Sequence, residues 1–263
     1  MLKRILPLFT VLLTLATMPL KAQSAASPVI NPGTSEWTVA AIGGYFRQGI
    51  GSTETADSYR ALLKSSWGIT PWMDLYALGG VANLKIETTS SNVTSLEDDF
   101  KLCYGLGMNL SKRMPAFDKL YLWGGVQAIR WQPKGDFTEP DLIGSELFLR
   151  RRSMTYDWRE LKVFAGVAVP VGSARFYVGG AGWWLQRKDK ETEYLEQGQS
   201  ISTVQSRENE TQSGLWTGAI AGIELRLPEN FALSVEVLAF NTSNMQVFVS
   251  LLQTGTSAWK PLD

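Results

Sequence analysis

The sequence predicts an all-β chain: a single antiparallel, up-and-down barrel crossing a membrane on about ten strands, with eight as the alternative count. Three observations carry that expectation. Segments alternate apolar and polar side chains, short Pro-containing turns alternate with long polar connections, and one apolar module recurs. The module reads DLYALGGVANL at 74–84, KLYLWGGVQAI at 119–129 and RFYVGGAGWWL at 175–185. Each copy has a Tyr near a turn, then a Gly pair, then apolar residues, as expected of hairpins following one another around a closed sheet.

Composition removes several function classes. Lys plus Arg and Asp plus Glu stand at 25 each, so no strong field points to nucleic acid. Cys103 is the single cysteine and there is no histidine. Ser-His-Asp and Cys-His catalysis are therefore excluded, and neither a cofactor nor a metal site is expected. Nothing in the spacing of Glu160 and Glu236 supports an acid–base pair.

At the amino terminus Lys3 and Arg4 precede an apolar run of about 16 residues, shorter than the ~20 a spanning helix needs. Residues 1–22 read as a signal peptide cleaved after Ala22 or Ala26, and 23–35 as a periplasmic lead-in. The barrel then occupies 36–254 and a short tail 255–263.

The ten strands are expected near 36–47, 58–69, 74–86, 100–111, 119–132, 156–169, 174–187, 214–227, 231–240 and 245–253. The second has Tyr59, Ala61, Leu63, Trp67 and Ile69 on one face against Arg60, Lys64 and Ser66. The fourth sets Leu102, Tyr104, Leu106 and Met108 against Lys101, Cys103 and Asn109. The sixth sets Leu161, Val163 and Val169 against Glu160 and Lys162. Turns at Pro71, Pro115, Pro170 and Pro228 are short, whereas 133–154 and 188–212 read as long loops, with 188–212 either mobile or an extension of its hairpin above the membrane.

These strand dyads, with the loop alternation and the export signal, resemble the small bacterial outer-membrane β-barrel superfamily of OmpA-type transmembrane domains and opacity-like proteins. The resemblance implies an outer membrane of Gram-negative type, contact with its lipid and lipopolysaccharide, and the barrel-assembly machinery during insertion. Enzymes of such barrels typically rely on a His that this chain lacks. It implies a non-enzymatic role in structure, surface interaction or adhesion through the long loops, with a narrow solute channel as the alternative. A soluble exported barrel of lipocalin type is the third reading.

Three groups of candidate residues follow from the pattern. Arg60, Lys64, Lys85, Lys101, Glu160, Lys162, Glu224, Arg226 and Glu236 are expected to face the lumen, with a basic excess that favours anions. Tyr76, Tyr121 and Tyr177 would form one aromatic girdle, and Trp131 and Trp183 the other. Tyr121 and Trp131 would then stand about 26 Å apart along the membrane normal. That phase aims Gln127 at lipid. Arg150, Arg151 and Arg152 on the third long loop are candidates for lipopolysaccharide phosphates.

Overall fold

A strand of period two has two faces, and a closed sheet sorts them into an inside and an outside. The computed structural model describes residues 34–50, 54–88, 96–97, 99–117, 119–143, 146–197, 200–212, 215–241 and 244–253. The segments expected as signal peptide, most of the lead-in and the tail lie outside the described residues.

Fourteen strand segments are present among the described residues: β1 Trp37–Ile50, β2 Glu54–Thr70, β3 Met73–Ala82, β4 Lys85–Thr88, β5 Leu96–Glu97, β6 Lys101–Arg113 and β7 Tyr121–Trp131. There follow β8 Lys134–Ile143, β9 Glu146–Val171, β10 Ala174–Gln197, β11 Ser200–Gln212, β12 Trp216–Arg226, β13 Phe231–Asn241 and β14 Asn244–Gln253. They make one antiparallel barrel of ten staves. Four staves are composite or extended: β4 continues β3, β5 leads into β6, β8 follows β7, and β11 leads into β12. Closure is explicit, because Ala41 of β1 pairs with Leu63 on β2 and with Leu251 on β14. That settles the count at ten rather than eight.

The short turns gather at one end. Pro71–Trp72 joins β2 to β3, Gly172–Ser173 joins β9 to β10, and a 3-10 turn at Pro228–Asn230 joins β12 to β13. Gly172 has φ +61°, a left-handed conformation that glycine adopts without strain. At the other end the segments expected as loops are largely strand. β8 pairs with β9 from Lys134↔Thr155 to Ile143↔Glu146, and β10 pairs with β11 from Gln186↔Gln212 to Gln197↔Ser200. Backbone pairing satisfies these polar segments without an apolar face, so hydropathy alone gave no sign of them.

The outer face is apolar. Leu102 is 70% exposed, Leu106 68% and Leu63 62%, with Val163, Val178 and Phe176 also open. A continuous belt of this kind is not stable in water and fits lipid. A lipocalin has the reverse polarity, so that reading is discarded. The chain is thus a closed barrel whose apolar outer face suits a membrane.

Candidate functional site: the filled lumen

The inner face is charged and aromatic at once. On β2 the inward residues are Ser58, Arg60, Leu62, Lys64 and Ser66, as expected, and on β9 they are Trp158, Glu160, Lys162, Phe164 and Ala168. On β3, β7 and β10 the observed phase is the opposite of the expected one. Tyr76, Tyr177, Trp131 and Trp183 are buried inside, and Tyr121 faces inward beneath Arg175, whose Cζ lies 5.4 Å from its ring centroid. None of the five expected girdle residues touches the lipid face. The physical reason is that large rings fill a narrow lumen better than aliphatic chains, and each carries a polar or π face for a neighbouring cation.

The outward aromatics lie on alternate positions. Trp37 stacks on Trp67 with centroids 6.0 Å apart at the short-turn end, and Trp72, Phe117 and Phe176 are exposed at the same end of the barrel. Tyr59 and Tyr104 are exposed toward the other end. Trp67 to Tyr59 spans roughly 21 Å along the normal at ~3.4 Å per residue and ~40° tilt, close to an apolar band of about 25 Å. The phase also explains Gln127, which is buried in the lumen and accepts a bond from the Tyr76 hydroxyl at 3.3 Å.

Charge is arranged in tiers. Nearest the short turns, Arg175 Nη1 meets Glu224 Oε2 at 3.3 Å, and Asn109 Nδ2 donates to Asp74 Oδ1 at 3.3 Å. Next, Lys64 Nζ stands 4.1 Å from the Tyr76 ring centroid, and the Tyr177 hydroxyl donates to Glu236 Oε2 at 2.9 Å. Above these, Arg60 forks onto Glu160, its Nη1 lying 3.3 Å from Oε2. Trp158 Nε1 donates to the same carboxylate at 3.1 Å, and Lys162 Nζ sits 3.3 Å from it. Lys162 also donates to Gln246 Oε1 at 2.6 Å. An aromatic layer closes over this clamp: the Arg60 guanidinium lies 4.0 Å from the Trp131 ring and 4.7 Å from Phe46, and Trp131, Trp158 and Trp183 are all 0% exposed.

Six of the nine expected lumen charges are therefore buried inside: Arg60, Lys64, Glu160, Lys162, Glu224 and Glu236. Lys101 keeps the inward phase but is only half-buried, near the long-hairpin end, and Arg226 is exposed at the short-turn end. Lys85 points outward. It pairs in register with Asp57 while its neighbours Leu84 and Ile86 face in, and its Nζ meets Glu87 Oε1 at 2.9 Å. That bond holds the Glu87 carboxyl below its ordinary value. β4 keeps the register and phase of β3, so Lys85 points outward with Leu75 and Val81, and Asn83 Oδ1 accepts from the Tyr59 amide at 2.6 Å where β3 gives way to β4.

Sequence reading missed Asp74 and Arg175, which enter the lumen with the inverted phase of β3 and β10. Within the membrane tiers Arg60, Lys64, Lys162 and Arg175 now face Asp74, Glu160, Glu224 and Glu236 in equal number, so the expected basic excess is gone. Arg187 and Asp189 add a further pair toward the hairpins, with nitrogen and oxygen 2.8 Å apart. Arg150, Arg151 and Arg152 lie in β9, paired in register with Glu139, Thr138 and Phe137. Their side chains are outside the described residues. Among the described residues no group of acidic, Cys or His side chains could hold a metal ion.

No known protein family matches the chain, and no curated relative does. Similar solved structures include the translocator domain of autotransporter NalP from Neisseria meningitidis, with a TM-score of 0.45 and 12% identity over 85% of this chain and 89% of that one. The transport unit of the autotransporter AIDA-I from Escherichia coli gives 0.42 and 13% over 89% and 95%. The CymD monoaromatic hydrocarbon channel gives 0.29 and 8% over 86% and 90%.

Proposed function

We propose that the protein is a non-enzymatic outer-membrane barrel whose lumen is a narrow, channel-like path for small solutes, shut in the conformation described. One observation carries the reading: the interior is a column of ionisable side chains running through the membrane tiers. Filling a barrel for stability alone favours apolar residues, because removing charges from water costs several kcal/mol per ion and pairing returns only part of that. A pathway needs polar groups at each level. Buried polar atoms without a protein partner, including Gln127 Nε2, Asp74 Oδ2, Asn109 Oδ1 and Gln246 Nε2, extend through the same tiers and suit a wetted path. The buried clamp of Arg60, Lys162 and Glu160 beneath the Trp layer is the barrier in this reading, and its separation would open the path.

Planar-bilayer recording of the refolded full chain tests this. The wild type is expected to show rare, small unitary steps, and Glu160→Gln to show more frequent ones. Silence from both, with each protein folded by its heat-dependent gel shift, defeats the channel reading.

A second reading has its own support. β10 runs thirteen residues past Trp184, about 34 Å beyond the apolar band at full strand rise and the same tilt. A stiff hairpin of that height, paired on both edges by β9 and β11, suits display and contact at the cell surface. Silent recordings combined with loss of surface binding on shortening the β10–β11 hairpin would favour it.

A further inference from the structure

We propose that Arg130 and Arg159 form a docking site for the phosphate of an outer-leaflet glycolipid. The two residues face each other across the β7–β9 ladder, on the outside of the barrel. Like charges directly opposite on adjacent strands repel. Asp157 bridges them: Arg130 Nε lies 2.7 Å from its Oδ1 and Nη2 3.0 Å from its Oδ2, and Arg159 Nε lies 3.0 Å from the same Oδ2. One carboxylate serves two guanidiniums, and Lys188 stands opposite Asp157 on β10. Two guanidiniums on one carboxylate leave the trio of Arg130, Asp157 and Arg159 with a net positive charge. Both Arg side chains stay about two-fifths exposed, whereas Asp157 is largely covered.

Height identifies the ligand. Below Arg159 on the same face come Leu161, Val163 and Val169, all lipid-exposed. Val169 to Arg159 is about 26 Å along the normal, the far edge of a band of about 25 Å. At that edge the neighbour of an outward side chain is a lipid headgroup. Tyr104, opposite Arg130 on β6, adds an amphipathic ring at the same level. The guanidinium fork matches phosphate oxygens, and Asp157 pre-orients both forks before the lipid arrives. The proposal rests on the membrane orientation and not on conduction, so silence in the bilayer experiment leaves it standing.

The full chain in phosphatidylcholine nanodiscs doped with diphosphoryl lipid A, or with the same lipid enzymatically dephosphorylated, supplies the test, read as lipid co-retained in native mass spectrometry. The wild type should retain the phosphorylated form about tenfold better. The R130Q/R159Q variant should lose that preference, and Arg113→Gln at the opposite end should keep it. Equal retention of both lipids by the wild type overturns the proposal without any variant. So does a preference that survives R130Q/R159Q, or full displacement by inorganic phosphate, which would mark a free-anion site.

Discussion

The ring of Tyr76 lies over Gly107, its register partner on the neighbouring strand β6, where a Cβ would overlap the ring. Tyr177 lies over Gly222 in the same way, Trp123 over Gly166 and Phe164 over Gly125. The inward aromatics of the recurrent module have this steric basis: Tyr76, Trp123 and Tyr177 each lie across a glycine on the next strand, so rings lie flat against the wall. Flat rings leave the centre of the lumen to Arg60, Lys64, Glu160 and Lys162.

Substituting Gly107 by Ala should therefore displace the Tyr76 ring and break its bond to Gln127. A loss of about 1–3 kcal/mol is expected, the usual scale for overpacking. Gly79→Ala is the control, since nothing lies within 4 Å of a Cβ there and the change should stay within about 0.5 kcal/mol. Urea unfolding followed by loss of the heat-modifiable gel form measures both. Equal effects at the two sites would contradict the ring-on-glycine account.

The Glu160 clamp makes a second quantitative expectation. Glu160→Gln leaves Arg60 and Lys162 facing each other in a buried site, and should destabilise the barrel by about 3–5 kcal/mol. Replacing both ends of the pair, as in R60M/E160L, removes the Arg60 charge along with the pair and leaves Lys162 on the Gln246 amide. The double variant should recover part of the loss, giving a coupling energy of about 1–3 kcal/mol in the cycle with R60M and E160L. Additive losses would mean that Glu160 is held by Trp158 and Lys162 alone.

The outer hairpins lead to a third expectation. Arg130 and Arg159 sit at the far edge of the apolar band with both guanidiniums about two-fifths exposed, so their pairing with Asp157 contributes little, about 0–1 kcal/mol. Asp157→Asn should leave unfolding nearly unchanged while loosening both guanidiniums. A loss above about 2 kcal/mol in the same urea assay would show that the trio is a structural joint instead.

The sequence carried the strand count, the antiparallel order and the side bearing the short turns, because these depend on period-two patterning and on Pro at turns. It also carried the phase of β2, β6 and β9, where Arg60, Lys101 and Glu160 mark the inner face. It failed on β3, β7 and β10. There both faces are apolar, and the rule that apolar residues face lipid has no purchase when Tyr76, Trp131 and Trp183 fill the lumen. Gln127, the polar residue in the middle of β7, carried the correct phase. Giving a single amide the weight of its desolvation cost over several aromatic rings would have inverted all three repeats and revealed Asp74 and Arg175. The height of the hairpins was illegible for a different reason, since strands outside the membrane are held by backbone pairing with no apolar signature.

The inverted phase is itself open to direct measurement on β7. Gln127 is buried against Tyr76, while Ala128, one residue further, is exposed on the lipid face. In a Cys103→Ser background, a nitroxide-quenched fluorophore series on Gln127→Cys and Ala128→Cys separates the two faces. The Ala128→Cys variant should label readily in the folded, membrane-inserted barrel and be quenched by nitroxide lipids of mid-bilayer depth. The Gln127→Cys variant should label only after unfolding, because the ring of Tyr76 and the barrel wall cover that position. Because the side-chain period is two, a one-residue shift exchanges the faces completely. Lipid quenching of the Gln127→Cys variant with protection of the Ala128→Cys variant would return Tyr121 and Trp131 to the membrane girdle and empty the lumen of its aromatic layer.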